Sequence, residues 1–254
     1  MKNRRLATAG LGLVTALTLM VTGCGEKDGT DTGNQAGAGT TSQAADKDPA
    51  AELAAAALEL GKTSMRTEMK MGTVMTVTGV ADGPSKTAEF TSTITNEGRK
   101  VKVDLKVIGD DTYTRMDAGG EAVPGMDGKT WRHASRSSDP NTAAAGDPTA
   151  YARLMETSAD VQKVGDNDFK GTIDFTKAAE KGLGGIDKKQ VNALGAQMKA
   201  VPFTATVDGE GRLTRLTMTM PAMAGQPPQP MDVRYSDFGV KVDVQKPPAG
   251  QIQS

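Results

Sequence analysis

The sequence predicts an α+β fold: a long, curled antiparallel sheet with one helix before it and further helices inserted between its halves. Three observations carry this. From Met65 onward, apolar and polar residues alternate with a period of two through several successive segments. Those segments are separated by short turn sequences such as Asp82-Gly83-Pro84, Asn96-Glu97-Gly98 and Gly109-Asp110. A run of strong helix formers, Ala50 to Leu60, stands before them, and helical stretches recur at 177–181 and 186–199.

The chain opens with Lys2, Arg4 and Arg5, an apolar run from Leu6 to Val21, and the small residues Thr22 and Gly23. This is the layout of a secretory signal peptide over residues 1–23, its apolar part being short for a membrane span. The stretch Val21-Thr22-Gly23-Cys24 resembles the lipobox of bacterial lipoproteins, with Val21 where Leu is commoner. The resemblance implies that Cys24 takes a diacylglycerol and becomes the new N-terminus. Two acyl chains hold a protein on a membrane where one does not. Cys24 is the single cysteine of 254 residues, so no disulfide framework is expected even outside the cytoplasm. Residues 24–47 hold almost no large apolar side chain and predict a disordered tether.

The folded domain is expected over 48–252. Asp48 supplies an N-cap side chain and Pro49 fits the first helical position. Leu53, Ala57 and Leu60 then share one stripe, and Gly61 stops the helix. Met65, Met69 and Met71 alternate with Arg66, Glu68 and Lys70; Ala88, Phe90, Ser92 and Ile94 alternate with Glu89, Thr91 and Thr93; Val101, Val103, Leu105 and Val107 alternate with Lys102, Asp104 and Lys106. Such strands have one apolar and one wet face. Lys129 to Arg132 predicts a short strand, Asp147-Pro148 the start of a helix through Glu156, and 161–164 and 169–175 further strands. Phe203 to Val207 and Leu213 to Met220 form a hairpin around Asp208-Gly209-Glu210-Gly211, and 231–235 and 240–244 a last hairpin around Asp237-Phe238-Gly239. Pro247-Pro248 is the expected end of ordered structure.

Composition narrows the partners. Without Lys2, Arg4 and Arg5 the chain keeps 27 basic against 31 acidic residues, a net charge of −4. A nucleic-acid partner is not expected, since no basic stripe is available to neutralise phosphates. Aromatic residues are only 4% while methionines number 14, which predicts a soft, adaptable apolar face.

The order of elements resembles the lipoprotein-carrier superfamily of LolA and LolB, and within it the actinobacterial LppX/LprG-like lipoproteins. The residues that carry the resemblance are Asp127 to Trp131, Gly171-Thr172-Ile173-Asp174, Val201-Pro202-Phe203 through Leu213, Tyr235 to Gly239 and Pro247-Pro248. These are turns and strand ends. The resemblance implies a half-barrel sheet with helices packed on its concave face, and an apolar cavity between them for acyl chains.

The suggestive constellation is the apolar stripe Met69, Met71, Met75, Phe90, Ile94, Val103, Leu105, Met218 and Met220. It has two readings, plain core packing or a pliable wall for an apolar ligand, and composition does not separate them. No catalytic residue, metal site or cofactor is expected. His133 is the single histidine, so neither a zinc site of ordinary spacing nor a positioned triad can be assembled. Asp166-Asn167-Asp168 has lysines where a calcium loop needs later ligands, and Asp208 to Gly211 lacks the Lys-Ser/Thr of a phosphate loop. The expected function is a non-enzymatic lipoprotein, lipid-anchored on the extracytoplasmic face of the cell membrane, that binds or carries a lipid. The alternative is an envelope structural or sensory module that binds a protein partner.

Overall fold

A computed structural model of the chain describes residues 48–96, 98–120, 125, 127–135, 147, 149–183, 188–222 and 227–253. All lie in the unit Ala45–Ser254. The segment expected to be a signal peptide, Cys24 and the expected tether fall outside the described residues.

Helix α1, Pro49–Glu59, starts as the sequence demands: the Asp48 carboxylate accepts the Ala50 N–H at 3.1 Å and proline fills the first helical position. Its buried stripe, Leu53, Ala56 and Ala57, continued by Leu60 of the 3-10 turn that follows, uses alanines that let the helix approach closely what lies beneath. Strands β1 (Ser64–Met71), β2 (Met75–Asp82), β3 (Thr87–Asn96), β4 (Arg99–Ile108), β5 (Asp111–Asp117) and β6 (Trp131–Ser135) follow as an antiparallel meander. A 3-10 helix, Ala152–Thr157, leads to β7 (Ser158–Lys163) and β8 (Asp168–Ile173). Two short helices, α2 (Phe175–Glu180) and α3 (Lys188–Leu194), precede β9 (Val201–Val207), β10 (Leu213–Met220) and β11 (Gln229–Ser236). β12 (Ile252–Gln253) closes the chain.

The twelve strands form one open sheet in the order β12-β6-β5-β4-β3-β2-β1-β11-β10-β9-β8-β7. Every pairing is antiparallel except β12 with β6, so the sheet is mixed and the fold is α+β. One hydrophobic cluster joins α1, the 3-10 helix, α2 and α3 to β1, β11, β10, β9 and β8, through Leu53, Leu154, Phe175 and Val191 on the helical side and Met69, Val233, Leu216, Phe203 and Phe169 on the sheet. The Glu52 to Lys163 ion pair at 2.8 Å ties α1 to β7. A smaller cluster, Ala81, Ala88, Phe90 and Val107, lies on β2 to β4.

Several expectations at element ends are corrected. The strand expected over 169–175 stops at Ile173, because the Asp174 carboxylate accepts the Thr176 and Lys177 amides and starts α2 at Phe175. The helix expected at 186–199 is α3 followed by a 3-10 turn, Gly195–Met198, beginning where Gly195 takes a φ of 57°. The helix expected from Asp147 to Glu156 is 3-10 and begins at Ala152. The short strand expected at 129–132 is β6, Trp131–Ser135, which starts two residues later and ends three residues further on.

The largest correction concerns the C-terminus. Val240, Val242 and Val244 do alternate as half-buried against exposed Lys241, Asp243 and Gln245, but 240–248 pairs with no strand. After the Asp237–Gly239 turn, held by Gly239 N–H to Ser64 carbonyl at 2.9 Å and by Arg66 to Asp237 at 2.8 Å, the chain crosses the sheet's outer face. Lys106 Nζ donates to the Gln245 carbonyl at 3.0 Å, Lys246 Nζ lies 5.7 Å from the Tyr113 ring, Pro247 is buried, and β12 then pairs with β6. Ordered structure thus continues past Pro247-Pro248. The strap lies over Tyr113 and holds Lys106, which stands 5.6 Å from the Trp131 ring beside Arg115 at 4.5 Å; both rings are buried on an otherwise polar face. Trp131 is the single tryptophan. Truncation after Val244 should therefore red-shift the intrinsic fluorescence as the indole meets water, while far-UV circular dichroism keeps the sheet signal.

Candidate functional site

The strand register lays the inner face out in rows. One row runs Val233, Met69, Val77, Ser92, Val103, Met116 across β11, β1, β2, β3, β4 and β5. The next runs Met231, Met71, Met75, Ile94, Val101. All nine residues of the predicted stripe stand on this one face. Exposure rises along each row. Val233 is 0% exposed and Met69 2%, while Val77, Val103 and Met116 are half-buried. Met231 is 4% exposed, Met71, Met75 and Val101 are half-buried, and Ile94 is 37% exposed.

The stripe therefore divides. Met69, Met218 and Met220 are buried in the large cluster beneath the helices, where they are core, with Met71 and Met75 packed partly against them. Phe90 is buried in the smaller cluster, against half-buried Leu105. Met75, Ile94, Val101, Val103, Leu105 and Met116, with Ser92 among them, form a largely apolar wall on β2 to β5 that is half-buried and, at Ile94, exposed. Val101 and Met116 were not singled out from sequence. Met116 follows Thr112 and Thr114 on its own face of β5, so that face shows little apolar periodicity, and only its pairing with Val103 places it on the wall.

A polar pair lies next to the wall. Thr67 on β1 and Tyr235 on β11 are directly opposed, are 6% and 2% exposed, and their hydroxyls have no hydrogen-bond partner. A buried hydroxyl left without a partner costs about 1–3 kcal/mol. Burial pushes the Tyr235 hydroxyl far above the usual phenol range, and Tyr151 and the Asp147 carboxylate add to the shift, so it is neutral and can donate. Burial likewise raises the Tyr151 hydroxyl. The row of Thr67 continues through Gly79, Phe90 and Leu105 into the wall. At Gly79 the Phe90 ring takes the place a side chain would occupy: an added Cβ would lie 2.4 Å from Phe90 Cδ1 and 2.2 Å from the Glu89 carbonyl oxygen.

The outer face is occupied by ion pairs. Asp104 meets Arg115 at 2.7 Å and Asp232 meets Arg215 at 2.8 Å. Partial burial opposes ionisation of both carboxyls, yet hydrogen bonds from Arg115, Thr91 and Lys102, and from Arg215 and Arg234, hold them below the usual carboxylate range. A shallow groove of about 470 Å³ over β9 to β11 is bordered by the paired Arg215 and Asp232, by Thr204 and Thr217, and by Pro202 and Pro230.

The residues weighed for chemistry sit in structural roles. His133 lies within β6, its Nε2 2.6 Å from Asp111 Oδ1 and its ring stacked on Tyr113 at 5.0 Å. Asp166 to Asp168 turns β7 into β8, with Asp168 accepting the Thr206 hydroxyl at 2.8 Å. Asp208 accepts the Glu210 and Arg212 amides and shapes the β9–β10 turn. Asp127 accepts the Lys129 and Thr130 amides and the Thr130 hydroxyl, which hold its carboxyl at about 2 and fix the turn into β6. Among the described residues no three His, Cys, Asp or Glu side chains gather as a metal site. No family model and no curated protein matches the chain.

Proposed function

We propose that this chain is a non-enzymatic, membrane-anchored extracytoplasmic lipoprotein that binds a lipid or another apolar ligand against the open wall of β2 to β5. Cys24 is its lipid-modified anchor and 24–47 its tether. The sheet acts as a curled half-barrel with the helices on its concave face, as in the LolA/LolB-like carriers and the LppX/LprG-like lipoproteins that the chain resembles. One observation supports the reading: a single apolar face that is buried beneath helices over β1 and β11 to β8 and, on β2 to β5, runs from the buried Ala81, Ala88 and Val107 to partly exposed side chains at its other end. Apolar side chains at intermediate depth are what a flexible acyl chain needs, and methionine adapts to varied ligands.

The alternative is an envelope module that docks a protein through an exposed aromatic or apolar patch on the outer face. It finds less support, because Tyr113 and Trp131 on that face are buried, with the C-terminal strap over Tyr113. The large apolar side chains exposed among the described residues are Leu58, Ile94 and Val164, and of these Ile94 belongs to the inner wall. Native mass spectrometry of the chain purified from membranes tests the reading. A co-purifying lipid is expected; a ligand-free chain, with the β2–β5 wall protected from hydrogen exchange by a bound protein instead, would overturn it. Anchoring has its own test. Cys24→Ala should leave the chain unprocessed and without metabolically incorporated acyl label, whereas a labelled, processed species would show that Cys24 is not the anchor.

A further inference from the structure

Resting on the apolar-ligand reading above, we propose that Arg132 binds the acid head group of an amphiphile whose tail lies on the wall, so that the chain selects ligands carrying a carboxylate or a phosphate over neutral ones with the same tail. Strand register places Arg132 on the inner face, opposite Thr114, at the end of the row Phe90, Leu105, Thr114, Arg132 across β3, β4, β5 and β6. Exposure rises along that row: Phe90 is buried, Leu105 and Thr114 are half-buried, and Arg132 is exposed. Three strand spacings of about 4.8 Å each separate its ends. An amphiphile fits such a row with its tail sheltered and its head in water.

Charge on this face is one-sided. Alternation in β1 to β6 turns every Asp and Glu of those strands to the outer face, and leaves Arg99, at the β3–β4 hairpin, and Arg132 as the cations of the inner one. Arginines of the outer face meet carboxylates, as Arg115 meets Asp104 and Arg66 meets Asp237. Among the described residues Arg132 has neither a hydrogen bond nor an ion pair. Its guanidinium is held in place all the same, against the bare backbone of Gly125, where even an added Cβ would collide with Nη2. A guanidinium presents its donors in a planar fork and takes carboxylate and phosphate alike through paired hydrogen bonds. An alcohol head group offers it no charge. The competing state is an Arg132 that water alone solvates.

The test uses the full chain in a non-ionic detergent, buffered so that both acids are ionised and loaded with equimolar hexadecyl phosphate, hexadecanoate and hexadecanol. Native mass spectrometry counts the amphiphile retained. The unaltered chain should retain the anionic amphiphiles at least about threefold over hexadecanol, the scale of an exposed ion pair, and the two anionic arms separate phosphate from carboxylate. Arg132→Gln should lose that preference and hold hexadecanol unchanged. Arg132→Lys keeps the charge without the fork and should retain part of the preference. Equal retention of all three by the unaltered chain, a preference that survives Arg132→Gln, or a parallel loss of all three in that variant overturns the head-group site while leaving the wall in place. Failure of the unaltered chain to retain any of the three overturns the wall and the head-group site together.

Discussion

Replacing Ile94 by Lys and Val101 by Glu should cut lipid retention by at least about tenfold while the domain stays folded. The two positions are directly opposed on β3 and β4, at the most exposed end of the wall. A cross-strand pair of opposite charges contributes roughly 0.2–1 kcal/mol relative to small residues, which offsets much of the lost apolar contact. The lysine stem can lie along the wall with its ammonium in water. An acyl chain, however, would have to desolvate the ion pair to lie against it, and taking even paired charges out of water costs more than any single apolar contact contributes. Lipid mass per protein, measured beside the thermal midpoint, separates the outcomes. Retention equal to that of the unaltered chain would show that the ligand does not touch this end of the wall. Collapse of the thermal midpoint would place the two residues in the core instead.

Phe169→Ala should lower the unfolding free energy by about 3–5 kcal/mol, a large share of the roughly 5–15 kcal/mol typical of a domain. Phe169 is fully buried on β8, and its cross-strand neighbour on β9 is Ala205, which has no side-chain volume to move into a vacated space. Lys163 Nζ stands 5.4 Å from the ring and would lose its aromatic partner as well. Denaturant unfolding followed by circular dichroism gives the number. Met218→Leu in the same cluster keeps its volume and should cost less than about 1.5 kcal/mol. A small loss for Phe169→Ala would mean that the helical half of the sheet is loosely packed, and the contrast between sealed core and open wall would fail.

The meander was legible because its physics is local. Alternation through β1, β3 and β4 assigns every residue to a face, and an error of one position would have moved Phe90 and Val103 to the wet side. The Asp48-Pro49 start of α1 was equally local, since the cap and the proline act within one turn. Where the reading failed, the same local pattern had two tertiary causes. Val240, Val242 and Val244 alternate because an extended strap buries one side on the sheet's outer face, and alternation reports one-sided burial and not ladder pairing. The Thr67–Tyr235 pair carried no sequence signal either, because 168 positions separate two hydroxyls that only the pairing of β1 with β11 brings together.

By itself the sequence determined the α+β class, the strand faces, the positions of most turns, and the likeness of Val21 to Cys24 to a lipidation motif. All of these are set by residue type at short range. Only the tertiary structure decided which part of the methionine stripe is core and which is wall. Burial depends on what covers a face, and α1, α2, α3 and the 3-10 helix at Ala152–Thr157 come to rest over one half of a sheet whose apolar pattern runs across both.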